Sequence, residues 1–185
     1  YTAQLYKRVA ERTVQLSNPV AFKVKRIRTN VLTNPLAGET EAFTQKLIAL
    51  SKELSKAEHS FDKASKQLEK FEKILKFTTS NQATLTEQIY ALRTEMHALK
   101  LQLKGSAAKS EVGEKEQLSI GYRIYFAASG LNGNSYGQTK LHMESYDMAK
   151  TMFEELKPKL EQFSSIKVPA LGKKLESNGA PAVLD

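Results

Sequence analysis

The chain has 185 residues, with 28 Lys and Arg against 20 Asp and Glu, a formal charge of +8, and neither Cys nor Trp. That length predicts one domain, with room for a fragment of another. Lack of any thiol excludes disulfide staples, thiolate zinc sites, iron–sulfur clusters and cysteine nucleophiles, and a hydrophobic share of 41% with 26% charged residues belongs to a foldable chain.

Residues 1–30 hold seven basic side chains and the single acid Glu11, so +6 of the +8 resides there and the remainder is nearly neutral. A phosphate-tracking surface needs one sign of charge in one place, and the helical stretches mix signs as a solvated helix face does; nucleic-acid binding is not expected. No run approaches the ~18 apolar residues of a membrane span, and no signal peptide opens the chain. The absence of an initiating Met and the strand-like opening predict an excised piece of a longer protein.

Glu11 to Leu16 and Val20 to Ile27 are rich in β-branched and aromatic residues with period-two alternation, Val20, Phe22 and Val24 facing one way. They predict a hairpin or the closing strands of a sheet. Because an isolated hairpin is marginal in water, residues 1–30 are expected to complete an upstream β-domain or to lie against the helices, with 31–39, including Asn34-Pro35, as connector. From Thr40 the period becomes helical. Phe43, Leu47, Leu50, Leu54, Ala57, Phe61, Ala64, Leu68, Phe71 and Leu75 alternate steps of four and three, the narrow seam of a coiled coil. Thr78 to Asn81 interrupts it, and Thr84 with Glu87 matches a capping box for a second helix whose Leu85, Ile89, Leu92, Met96, Leu99 and Leu103 repeat the pattern until Gly105. The short break predicts an antiparallel hairpin with the two seams face to face. Residues 105–117 read as a mobile loop.

In 118–131, Tyr122 to Phe126 suits a strand, whereas Ile120, Ile124, Ala127 and Leu131 suit a short helix; helix is the preferred reading. A turn-rich segment follows, then a last helix from about Thr139 with Tyr146, Ala149, Phe153, Leu156, Leu160 and Phe163 in register. Pro158 or Pro169 should kink it. The predicted fold is all-α, an antiparallel long-helix bundle or coiled-coil hairpin behind a short β remnant, with helices near 40–77, 82–104, 118–129 and 139–178.

Little in this pattern carries chemistry. His59, His97 and His142 fall on separate predicted helices and form no metal set, and Glu69/Glu72 and Glu154/Glu155 sit between lysines on charged faces where helical pairing explains them. Ser129 and Ser135 lie among glycines without a nucleophile elbow or a phosphate-binding loop. Catalytic, metal and cofactor sites are therefore not expected. The Phe stripe reads as core. Tyr122, Tyr125, Phe126 and Tyr136 form the one aromatic group outside a clear seam and are the candidate recognition surface.

The order of several weak motifs is similar to the end of large bacterial proteins with sialidase-like (Asp-box) or sortilin-type β-propellers, often labelled glycosyl hydrolase. The motifs are Asn18-Pro19-Val20 to Val24 as a sandwich's last strand, Phe43 opening a long helix, Leu103-Lys104-Gly105 closing a second, Ile120 to Ile124, Val168-Pro169-Ala170-Leu171, and Leu175 to Gly179-Ala180-Pro181. The resemblance implies a secreted, periplasmic or outer-surface location and a propeller elsewhere in the parent, and it transfers no catalytic residue to this chain. The expected role is a non-catalytic structural or protein-interaction module whose partners are the upstream domains and a protein docking on the helical surface. The alternatives are a coiled coil that oligomerises through the Phe43–Leu75 seam, or a support domain for a glycan-active hydrolase whose active site lies outside the chain.

Overall fold

A computed structural model describes residues 1–25, 34–114, 117–131 and 136–181. It divides into two compact units, Tyr1–Thr33 and Asn34–Asp185.

In the first unit, β2 (Tyr6–Val9) and β3 (Arg12–Gln15) form an antiparallel hairpin, and β1 (Thr2–Ala3) pairs antiparallel with β4 (Val20–Ala21). Of the two expected arrangements, a hairpin between the Glu11–Leu16 and Val20–Ile27 stretches is not formed: in the described residues, up to Lys25, both are strands that pair with residues 1–9. A two-residue turn explains the choice. Ala10, at φ 53°, reverses the chain immediately beside Glu11, so Val9 opposes Arg12. Hydrogen bonds from the Leu16 N–H to the Leu5 carbonyl and from the Phe22 N–H to the Tyr1 carbonyl, each 2.9 Å, carry the ladder past both pairs. Between them Ser17 bulges out, its hydroxyl accepting the Leu5 N–H at 3.0 Å.

The second unit is all-α, and helix makes up 70% of the structure. Helices α1 (Thr40–Ile74) and α2 (Gln82–Lys104) are antiparallel, as Lys104–Asp62 at 3.1 Å and Arg93–Glu72 at 3.6 Å record. A short helix α3 (Ala107–Glu111) follows, then α4 (Ile120–Ser129), α5 (Lys140–Gln162), a π-helical turn (Phe163–Lys167) and α6 (Val168–Ser177). Helix α5, the π turn and α6 make one rod parallel to α1. Phe43 meets Tyr146, Glu53 meets Lys157, Phe61 meets Phe163, and Phe71 meets Gly172, so contacts advance in the same direction on both.

The expected face-to-face pairing of the α1 and α2 seams is only part of the packing, and helix length gives the reason. At about 1.5 Å per residue, α1 runs roughly 52 Å, whereas α2 covers roughly 35 Å of it. Helix α4 adds about 15 Å, and it begins where α2 ends: the position a Cβ of Gly121 would take is 3.4 Å from the Leu103 carbonyl. Thus α2 and α4 together form a third rod. The α1 seam is buried at Phe43, Leu47, Leu50, Leu54, Phe61, Ala64, Leu68 and Phe71, and it shares one core with Leu85, Ile89, Leu99, Leu103, Ile120, Ile124 and the inner face of α5–α6.

Helix α2 spans the expected 82–104, but Asn81 and not Thr84 stands at its start: Asn81 takes a left-handed φ of 55° and its side-chain amide donates to the Asn178 Oδ1 at 2.8 Å, tying the α1–α2 turn to the end of α6. The 105–117 loop contains α3, whose Lys109 N–H bonds to the Ser106 hydroxyl at 3.3 Å. Of the two expected sites of irregularity, Pro158 lies within α5 and the π turn falls just ahead of Pro169. In a regular helix the Pro169 ring would meet the carbonyl of Ser165 four residues back, and a widened turn is a way to move that carbonyl aside.

Near the middle of α1, Glu58 lies one turn before Asp62. Burial holds its carboxyl above the ordinary value of 4.5, Lys104 opposes the rise, and Asp62 adds to it. The native carboxyl therefore binds its proton more tightly than the unfolded one, so the group costs stability as pH rises through that range. Glu58→Gln should raise the melting temperature at pH 7 and leave it unchanged near pH 3, and equal shifts at both pH values would contradict this.

Candidate interaction surface

Helix α4 starts where Ser119 caps it, the hydroxyl accepting the Tyr122 N–H at 3.3 Å. Its apolar positions divide the helix into two faces. Ile120, Ile124 and Ala127 are buried, while Tyr122 and Tyr125, three apart on the opposite arc, stand 51% and 73% exposed. Phe126 shares that arc but is half-buried, its ring 5.0 Å from the imidazole of His142 at 39°. The Tyr136 carbonyl accepts the Asn34 side-chain amide at 2.6 Å. The surface thus has two outward tyrosines and a phenylalanine anchored on α5.

That anchoring depends on His142. Thr139 and His142 form the capping box of α5, with the imidazole Nδ1 accepting the Thr139 N–H at 3.0 Å. An acceptor Nδ1 carries no proton, so a neutral ring bears its hydrogen on Nε2. Gly130 makes room for the ring: a Cβ there would lie 2.4 Å from Nδ1. Gly130→Ala should therefore cost about 1–3 kcal/mol as an overpacking change. His142→Ala alone should cost about 0.5–2 kcal/mol through the lost cap, and in that background the alanine at 130 should become nearly neutral. Additive costs in urea denaturation of the three variants would disprove the coupling.

Two further α4 contacts fix it to α5. The Ser145 hydroxyl donates to the Arg123 carbonyl at 3.1 Å, and the Arg123 guanidinium lies 3.1 Å from the Met148 Sδ. Met148 is 52% exposed, a neighbour of Arg123 that the helical reading of 118–131 did not supply because it comes from α5.

Two features escaped the sequence reading. The first is Gln138, fully buried, whose amide donates to the Leu36 carbonyl at 3.0 Å and whose Oε1 accepts the Thr40 hydroxyl at 2.8 Å. Its own carbonyl accepts from Asn34 at 3.1 Å, so one side chain and one carbonyl lock the approach to α1 against the approach to α5. The second is the groove beside the π turn, about 290 Å³, lined by His59, Ser60, Lys63, Gln67, Ser164 and Ser165. The Ser164 hydroxyl is buried there with no hydrogen-bond partner among the described residues. The consecutive serines before Val168-Pro169 are the local signal for that turn, whereas Gln138 carries none.

His59, His97 and His142 stay apart, and among the described residues no three His, Cys, Asp or Glu side chains are grouped to hold a metal. Among the same residues no helix is long and apolar enough to cross a membrane. The chain matches no protein-family model, no curated protein and no solved structure.

Proposed function

We propose that the chain is a non-catalytic structural and protein-interaction module of a larger secreted or cell-surface β-propeller protein, with the α4 tyrosines as its docking face. The observation that carries the interaction half is the division of α4 into a sealed face and a face offering Tyr122 and Tyr125 to solvent. Tyrosines on a rigid helix supply large, amphipathic contact area at low entropic cost, the composition found at binding hot spots. A stripe that zips three rods within one chain favours this over oligomerisation through the Phe43–Leu75 seam, since Phe43, Leu54, Phe61 and Phe71 already have partners in the core.

The propeller and the location rest on the motif order alone, and the coding sequence ahead of Tyr1 tests them: propeller or Asp-box repeats support the reading, and a transmembrane or motor segment overturns it. Light scattering after size exclusion tests the bundle, for which a concentration-independent monomer is expected. For the docking face, Tyr122→Ser/Tyr125→Ser should leave the melting temperature within about 1–2 °C, because exposed substitutions cost little, while abolishing cross-links from α4 to neighbouring domains or partners of the parent. Unchanged cross-links would reject the face.

A further inference from the structure

An open groove of about 730 Å³ runs along the first half of α1 beside the end of α4. Side chains of α1 from Thr40 to Lys56 form one wall, about 24 Å long at 1.5 Å per residue. Opposite them stand Ala128 and Leu131, joined in a single turn by the Leu131 N–H donating to the Ala128 carbonyl at 2.9 Å. Polarity changes along the groove. At the start of α1 the Thr40 hydroxyl donates to the Gln138 Oε1 at 2.8 Å and the Thr44 hydroxyl to the Thr40 carbonyl at 2.7 Å, so neither has a proton left for a ligand. The middle is apolar, with Leu47 buried, Ile48 42% exposed, and Ala128 and Leu131 half-buried. The far end holds Ser51, Lys52, Ser55 and Lys56, which share one patch of the helix. None of these four side chains has a hydrogen bond or ion pair among the described residues, and among those residues no carboxylate lines the groove. Two lysines one turn apart repel each other, so an anion placed between them relieves a local cost.

We infer that this groove binds a single-chain anionic amphiphile of the fatty-acid class, its alkyl chain on Leu47, Ile48, Ala128 and Leu131 and its carboxylate between Lys52 and Lys56. The volume falls within the roughly 300–1,000 Å³ of small-molecule sites, which are likewise apolar with a few polar groups that fix orientation. Here those groups lie at one end. Two ammonium groups give charge-assisted hydrogen bonds to a carboxylate, and the Ser51 and Ser55 hydroxyls add donors of their own. The short second wall decides against a helical peptide as occupant. A helix is about 10–12 Å across, and laid along α1 it would find opposing side chains at Ala128 and Leu131 for one turn only. An alkyl chain needs no more than the apolar floor and that one flank.

Isothermal titration of the 185-residue chain with dodecanoate, kept below the concentration at which it forms micelles, should give saturable one-to-one binding with unchanged helical circular dichroism. Methyl resonances of Ile48 and Leu131 should shift during the titration. Octanoate should bind at least ~10-fold more weakly, because each methylene taken from water contributes to affinity, and dodecyltrimethylammonium should not bind. Lys52→Gln/Lys56→Gln should weaken dodecanoate at least ~10-fold, and Ile48→Asp should abolish its binding. All three side chains are exposed, so both variants should melt within about 1–2 °C of the parent chain. No saturable dodecanoate binding, equal binding of dodecyltrimethylammonium, or undiminished binding by the lysine variant overturns the inference. Binding of an acidic amphipathic helical peptide in place of dodecanoate, with the same methyl resonances shifted, assigns the groove to a protein segment and overturns it too.

Discussion

Phe61→Ala is expected to lower the unfolding free energy by about 3–5 kcal/mol, the range for truncating a buried phenylalanine. Phe61 is 1% exposed and sits near the middle of α1, its ring 5.3 Å from that of Phe163 and tilted by 46°. Phe163 is the first residue of the π turn and is fully buried. Asp62, the next residue, meets Lys104 at the end of α2, so this level of the core is where α1, the end of α2 and the α5–α6 rod come together. Removing the ring leaves a void bordered by three helices, none of which can close it without shifting along its whole length, which places the cost in the upper part of the range. Urea denaturation followed by helical circular dichroism measures it, with exposed His59→Ala as a control expected within about 0.5 kcal/mol of the parent chain. A loss below about 1 kcal/mol for Phe61→Ala would mean that α1 does not share its core with the π turn.

How far this arrangement can be read from the residues depends on the range of the interaction. The α1 stripe is local and repetitive: spacing of four and three over about eight turns marks Phe43 to Phe71 as one buried face, and the same residues line the core. The outward placement of Tyr122 and Tyr125 was legible for the same reason, since Ile120, Ile124 and Ala127 fill the opposite arc. What periodicity lacks is the identity of the partner. Nothing within α1 says whether its seam meets α2, α5 or both, and only the mismatch in helix lengths decides it. Period-two alternation likewise identified Val20 and Phe22 as facing one way, but their pairing with Tyr1 and Ala3 follows from the turn at Ala10. Phe126 and Tyr136 share with Tyr122 and Tyr125 a place outside a clear seam, yet Phe126 packs on His142 and the Tyr136 carbonyl accepts from Asn34, contacts spanning 16 and 102 residues that no local pattern encodes.

Gln138 is the clearest case of such a long-range contact, and replacing it should be costly in a chemically specific way. Gln138→Leu, close in volume, keeps the site filled but leaves the Leu36 carbonyl and the Thr40 hydroxyl without their present partners. A buried polar group so orphaned costs about 1–3 kcal/mol, so a total of about 2–4 kcal/mol is expected, read by denaturation and by faster exchange of the first-turn amides of α1 and α5. Gln138→Glu separates shape from hydrogen bonding. Ionised, the new carboxylate would aim an oxygen at the Leu36 carbonyl where an amide donor stood, in a fully buried position; protonated, it can donate to that carbonyl again. Burial raises the native carboxyl's affinity for its proton relative to the unfolded chain, so the Glu variant should approach the parent's stability at acidic pH and lose it as pH rises. The Leu variant should show no such gain on acidification. If both variants fall by the same amount at every pH, the amide fills space at this junction and its hydrogen bonds do not hold the two helix starts together.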